Sequence, residues 1–436
     1  MVKITMLGAG SAFTAPLMKD IMLIQGLNGG VINLIDIDPK RLDISQRWVK
    51  ALAARIGGNW TINASTDRRK LMKGSDYLIN CIEVSGTRTV AVDYNVPKKY
   101  GVDQCIGDTI GPGGIFKALR TIPAWIDILR DVERLCPNAL VLNYTNPMSM
   151  MTLAAVRTTS AAVVGLCHSV QGTAARIARY LGVPRDKLEY RCAGINHMAW
   201  FTLLKYRGHD MYPRLAKRAR TRKDLYEQDP VRFDMMFHMG AFVTESSGHF
   251  SEYVPYYRKR KDLVRKYMRD RYRGESGFYS KNWPKWRRDE DSKRLGELKN
   301  AATMPIERSH EYAAVIIEAH RLNMPALVYG SVLNEGLISN LPADGVVEVG
   351  VLVNGNGMAP VRFGPLPPHL AALCASNMAV FECAVSGILH RNRDAVYHAM
   401  TLDPLTAAVC SPAEISSMTD EMAKKEKDYI PKFMTK

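Results

Sequence analysis

Two strings in the chain bring metal-binding atoms to the ends of regular segments. Cys167 and His168 close a β-type run, Ala162-Val-Val-Gly-Leu166, and His197 lies further on in Gly194-Ile-Asn-His-Met198. A thiolate and an imidazole can share one divalent ion and leave coordination positions open for substrate oxygens. The bland alternative is a small buried thiol and a satisfied core histidine, and spacing alone does not choose between them. Three more polar islands stand in apolar or glycine-rich surroundings. Gly107-Asp108-Thr-Ile-Gly-Pro-Gly-Gly114 reads as a loop with one carboxylate, and Asn143-Tyr-Thr-Asn146-Pro147 offers amides to hydroxyl groups. Thr244-Glu-Ser-Ser-Gly-His249-Phe-Ser-Glu-Tyr253 is dense in groups able to move protons. Each island alone reads as turn chemistry; together they point to a site.

These residues need a scaffold, and the first residues begin one. Val2–Leu7 is a short β-type run closed by Gly8-Ala-Gly10-Ser11, followed by helical apolar spacing at Leu17, Ile21, Met22 and Ile24. A strand, a Gly-x-Gly turn and a helix N-terminus are the recipe for a pyrophosphate site. Gly8 would make the turn, Gly10 would let phosphates approach, and Ser11 would lead into the helix. Phe13 stands where the usual fingerprint has its third glycine. The next strand, Val31–Asp36, ends on an acid suited to ribose hydroxyls, which would select NAD over its phosphorylated form. Asp38, just before Pro39, fits a helix cap.

A helix is expected from Pro39, a helical segment near Arg68–Lys73, and strands at Tyr77–Ile82, Ala139–Asn143 and Ala162–Leu166. Strands alternating with helices define an α/β fold with a Rossmann-like, doubly wound parallel sheet over residues 1–190. Residues 191–436 mix strands, long helices and polar loops. They read as a C-terminal α+β domain that carries substrate, metal and oligomer contacts, grown onto the first layer rather than tethered to it.

Bulk properties narrow the partners. The net charge of +16 arises from 59 basic and 43 acidic residues, and much of the excess lies in Arg258–Arg273. That stretch reads as a solvated helix face: its basic residues do not alternate with stacking aromatics, so neither nucleic acid nor a membrane surface is expected as partner. No apolar run is expected to span a bilayer. Eight scattered cysteines without a CxxC pair, and the lack of a secretory signal, fit a reducing cytoplasm.

The longer strings carry a resemblance. GAGS at Gly8, LIDIDP at Leu34, GDTIGPGG at Gly107, NYTNPMS at Asn143, GLCHSVQGT at Gly165, RCAGINHMAW at Arg191 and FVTESSGHFSEY at Phe242 resemble glycoside hydrolase family 4. So do LPPHLAAL at Leu366 and DPLTAAV at Asp403. The likeness spans nearly the whole chain and is nearest to the bacterial α-galactosidases of the melibiase type.

The resemblance implies a fold like that of lactate and malate dehydrogenases, a homodimer or homotetramer, and a need for NAD and a divalent ion, commonly Mn2+. It also implies a hydrolysis outside the paired-carboxylate rule. The sugar is oxidised at C3, its C2 proton is removed by a base, the glycosidic oxygen leaves, water adds and the hydride returns. By resemblance Cys167 and His197 are metal ligands, Asn146 binds substrate and Asp108 tunes the base. His168 stands where the phosphoglycosidase branches carry Asp or Asn, and it is either the acid or a hydroxyl-binding group. Tyr253 ranks first as base and His249 second. Arg308 is a candidate substrate contact, beside His310 where the related pattern has arginine. An α-glucoside or α-galacturonide is the rival substrate within the family. A simple hydroxy-acid dehydrogenase and a non-catalytic NAD-sensing or nucleic-acid-binding protein are the rival classes.

Overall fold

The computed structural model describes residues 1–300, 304, 306–309 and 311–435. Its strands are β1 (Val2–Leu7), β2 (Gly29–Ile35), β3 (Asn59–Ser65), β4 (Tyr77–Asn80), β5 (Leu140–Asn143), β6 (Ala162–Gly165) and β7 (Glu189–Ile195). The chain continues with β8 (Met198–Tyr206), β9 (His209–Asp210), β10 (Phe242–Val243), β11 (Ala326–Leu333), β12 (Val346–Asn354) and β13 (Gly357–Pro360). All thirteen share one sheet. The first six run parallel in the order β3-β2-β1-β4-β5-β6, the arrangement of a dinucleotide-binding sheet.

Burial explains the parallel half. Helices cover both faces of such a sheet, so its strands need apolar residues without alternation. Ile4, Met6, Ile32, Leu34, Leu78, Ile79, Val141 and Leu142 are all fully buried. Each such side chain contributes about 1.5–3 kcal/mol by leaving water. β3 is the exception and was not foreseen. Its sequence, Asn-Trp-Thr-Ile-Asn-Ala-Ser, is half-exposed at the sheet edge and has few apolar positions to announce it.

Beyond β6 the sheet turns antiparallel and continues through β11, β12, β7, β8 and β10. β1 to β6, which end at Gly165, form the parallel half, and the strands from β7 at Glu189 onward form the antiparallel half, with one apolar core running through both. β11 and β12 come late in the chain yet lie between β6 and β7.

Two expectations need correction. The helix Pro368–His390 is long and apolar enough to cross a membrane. Here it packs on the Gly111–Leu135 and Met148–Thr158 helices, and residues such as Leu370, Cys374 and Phe381 are buried. The basic stretch is not one solvated helix either: only Lys261–Tyr267 is α-helical within it. Arg258 is buried on Asp103 at 2.9 Å, and Arg260, Arg269 and Arg273 pair with Asp262, Glu227 and Asp270. Local carboxylates neutralise these charges.

Candidate active site

The carboxyl ends of β1, β2, β4, β5 and β6 form one edge, where open α/β sheets hold their ligands. Gly8 follows β1 with φ +73°, and a Cβ there would lie 2.4 Å from the Cys81 carbonyl oxygen after β4. Only glycine fits that turn. Gly10 N–H donates to Asp36 Oδ2 at 2.7 Å, and Ser11 N–H closes the turn on the Gly8 carbonyl at 2.9 Å. The helix Thr14–Met22 begins directly afterwards. Asp38 caps the Pro39–Ile56 helix by accepting from Lys40 and Arg41 N–H, which leaves Asp36 at the turn. Gly8, Gly10, Ser11 and Asp36 thus share one cradle.

At the other end of this edge, the inserted strands bring two distant ligands together. Gly165 on β6 registers with Ser331 on β11, Ser331 with Glu348 on β12, and Glu348 with Gly194 on β7. Cys167 follows β6, and His197 lies in the tight β7–β8 turn with φ +66°. Their Sγ and Nε2 atoms lie 3.5 Å apart. Glu245, which follows β10 with φ +71°, places Oε2 3.6 Å from the same Nε2. The ligand atoms of Cys167, His197 and Glu245 lie within 4.8 Å of one another, a thiolate–imidazole–carboxylate corner able to hold one divalent ion. His197 Nδ1 faces the Tyr253 hydroxyl at 3.2 Å, which keeps Nε2 turned into the corner. Burial opposes the Glu245 charge, yet His197 and His249 beside it hold the carboxyl well below the usual range.

Proton-handling groups line the neighbouring wall. His249 Nε2 meets Thr109 Oγ1 at 2.5 Å, while its Nδ1 lies 3.9 Å from Glu245 Oε1. The His197 and His249 rings are 4.5 Å apart. Asp108 accepts from Lys117 Nζ at 3.2 Å and from the Asn146 amide at 3.5 Å. Lys117 also pairs with Glu83 at 3.0 Å. Burial opposes ionisation of Asp108, but Lys117, His249 and His197 hold it below the ordinary value. Glu83 goes the other way: burial raises it, and Lys117 offsets only part of this. Burial pushes the Tyr253 hydroxyl well up.

The loop carrying Asp108 is held from beneath. Fully buried Glu252 accepts N–H bonds from Cys105 at 2.8 Å, Ile106 at 2.7 Å and Gly107 at 3.0 Å, plus the Gln104 amide at 3.1 Å. The second half of the expected loop is in fact the first turn of the Gly111–Leu135 helix. A Cβ on Gly113 would lie 2.3 Å from the Gly107 carbonyl, so that helix start presses on the loop as only glycine permits.

The fold brings Cys167, His197, Asn146, Asp108, His249 and Tyr253 into one connected cluster. His168 lies at its rim with a side chain 62% exposed and Nδ1 3.8 Å from Glu311. The Cys167 thiolate raises the His168 pKa against burial, and Glu311 adds to the rise. Arg308 is not brought in: it pairs with Glu318 at 2.9 Å. His310 lies outside the described residues. The sequence names Glu245 and Glu252 only as members of the proton-moving string, without a role, and does not point to Lys117 or Glu83 at all. The signal for Glu245 was its place among the proton-moving groups of the TESSGHF string; for the buried Lys117 there was none.

A nucleotide cradle and a thiolate-bearing metal corner on one Rossmann edge define an α/β enzyme that pairs a dinucleotide with a divalent ion. The family 4 glycosyl hydrolase pattern matches residues 3–183, and the pattern of that family's C-terminal domain matches residues 192–406. The chain belongs to the family 4 glycosyl hydrolases and is an NAD-dependent glycosidase. It is 40% identical to an α-galactosidase of Bacillus subtilis (strain 168), across 99% of this chain and 100% of that one. An α-galactosidase of Rhizobium meliloti (strain 1021) is 36% identical across 99% of this chain and 89% of its own length. A 6-phospho-alpha-glucosidase from gut microorganisms, solved in complex with NAD and Mn2+, superposes with a TM-score of 0.83 at 20% identity, covering 99% of both chains.

Proposed function

We propose that the protein hydrolyses α-galactosides, holding NAD in the Gly8–Ser11/Asp36 cradle and Mn2+ in the Cys167/His197/Glu245 corner. The observation that carries this reading is that corner, placed on the same sheet edge as the glycine turn. Both relatives named above as α-galactosidases extend over nearly all of this chain. NAD supplies a reversible hydride acceptor for the sugar C3, and the divalent ion supplies Lewis-acid stabilisation of negative charge beside the carbonyl.

The chain's own groups then take separate tasks. Asn146, steered by Asp108, orients sugar hydroxyls. Lys117 keeps Asp108 ionised. His249 takes the C2 proton, because it stands between the Asp108 loop and Glu245. Tyr253 is engaged on His197 and its hydroxyl resists ionisation, so it positions the metal ligand. The order foreseen for the two bases is therefore reversed in this proposal. His168, at the rim with its proton favoured, is placed to assist the leaving oxygen.

The uronide rival drew its appeal from the basic stretch; the pairing of Arg258, Arg260, Arg269 and Arg273 with acids supports the galactoside instead. Comparison of p-nitrophenyl α-galactoside with p-nitrophenyl α-galacturonide, each with NAD, Mn2+ and a reductant, tests the assignment. Cleavage of the galactoside is expected; cleavage of the uronide alone would reject it. Free cysteines fit a reducing cytoplasm. Exposed Met324, Leu327, Leu352 and Val361 support a homodimer or homotetramer, which light scattering would register.

A further inference from the structure

The helix Phe278–Lys299 contributes no ligand to the metal corner, yet one of its faces crosses the nucleotide cradle. Trp283 lies under Lys117 Nζ, 5.8 Å from the ring centre. Further along, Asp291 takes Arg41 at 3.0 Å, Arg294 donates to the Ser11 carbonyl and to Ser45 Oγ at 3.1 Å, and Glu297 accepts from Trp48 at 2.7 Å. These positions recur at helical spacing, so a single stripe faces the glycine turn and the Pro39–Ile56 helix.

Arg287 lies on that stripe between Trp283 and Asp291. An ideal Cβ on Gly86, past the end of β4, would lie 3.0 Å from its Nη1. Arg41, Glu83, Asp36 and Asp291 surround it electrostatically. Its neighbours on the stripe have partners. Arg287 is half-buried and has neither a hydrogen bond nor an ion pair among the described residues. Burial and Arg41 lower its pKa, and Glu83, Asp36 and Asp291 offset this only in part, none of them bonded to it. A guanidinium with no carboxylate in direct contact beside a Gly-x-Gly turn is matched by one ligand group above others, a phosphate diester or pyrophosphate, whose oxygens accept its forked N–H groups.

We propose that Arg287 is the counter-ion of the dinucleotide pyrophosphate, and that its helix closes the cradle from the C-terminal half of the chain. This rests on the reading of the cradle as an NAD site. The two remain separable, because one concerns whether the wild type binds NAD and the other how Arg287 contributes.

Isothermal titration of the full chain with NAD and, separately, with adenosine tests the proposal. Wild type, Arg287→Ala and Arg287→Lys are compared, with thermal melts confirming that each is folded. Arg287→Ala should weaken NAD about tenfold or more while adenosine affinity holds, because only NAD carries the phosphates. Arg287→Lys should fall between, keeping charge but losing the fork. Unchanged NAD affinity in Arg287→Ala overturns the proposal, as does an equal loss for NAD and adenosine. A wild type that binds no NAD rejects the underlying functional reading instead.

Discussion

Glu245 and Glu252 lie on the same short segment and are opposites. Glu252 is fully buried, and four N–H groups converge on its carboxylate. Glu245 receives one backbone N–H, from Ser246 at 3.0 Å, and otherwise faces His197, His249 and, through the corner, Cys167. A carboxylate whose lone pairs are taken by the backbone holds a loop in shape. One that faces imidazoles and a thiol is free to bind an ion. The segment thus builds the site and supports it with the same residue type, and the partners decide which task each acid performs.

The sharpest way to break this contrast is to remove ligands from the metal corner. Cys167→Ser should lower glycoside turnover on the order of a hundredfold or more with little change in Tm, since loss of a ligand should cost at least as much as loss of its support. Assays across added Mn2+ with a reductant present would register it; full activity in excess chelator would contradict the metal assignment. Glu245→Gln should behave alike, losing activity and Mn2+ affinity while remaining folded.

Glu252→Gln should do the reverse. Replacing the acceptor of three backbone N–H groups leaves buried donors unpaired, a destabilisation of about 2–4 kcal/mol read by chemical denaturation. If Glu252→Gln kept its stability and lost only activity, the division between the two acids would fail.

A smaller effect concerns a third acid, outside the metal corner. Glu426 and Asp93 share one cation, Arg120, in the interior. Burial and the charge of Asp93 push the Glu426 pKa up to about 9. The folded state therefore holds a proton that the unfolded chain releases near pH 4.5. The associated stability is fully present below that pH and is lost as pH rises towards 9. Glu426→Gln should flatten this decline, so Tm of the variant gains on wild type between about pH 6 and 9. A parallel decline in both proteins would argue against it. The smallest change belongs to Arg308→Ala, which breaks a part-exposed pair with Glu318 worth about 0–1 kcal/mol and should leave KM unmoved.

Much of the frame was legible in the chain because strand ends and turns are local. Gly8, Asp36, Cys167 and Asn146 all follow short apolar runs that announce themselves, and those runs became β1, β2, β6 and β5. What joins Cys167 to His197 was not legible. Their approach depends on β11 and β12 entering the sheet between β6 and β7, a pairing without local signature. Lys117 was hidden for a related reason: it is nearly two turns into an apolar helix, and only the tertiary fold sets Glu83 and Asp108 on either side of it. Arg308 was misplaced because a motif position says where a residue falls in the chain, not which acid neutralises it.

In the proposed reaction, cleavage passes through loss of the C2 proton rather than through direct displacement at C1. Hydrolysis of p-nitrophenyl α-galactoside in D2O with NAD and Mn2+, followed by proton NMR of the released sugar, tests this most directly. The account predicts deuterium at C2 and no net accumulation of NADH. Sugar that retains its C2 proton through complete hydrolysis would contradict it.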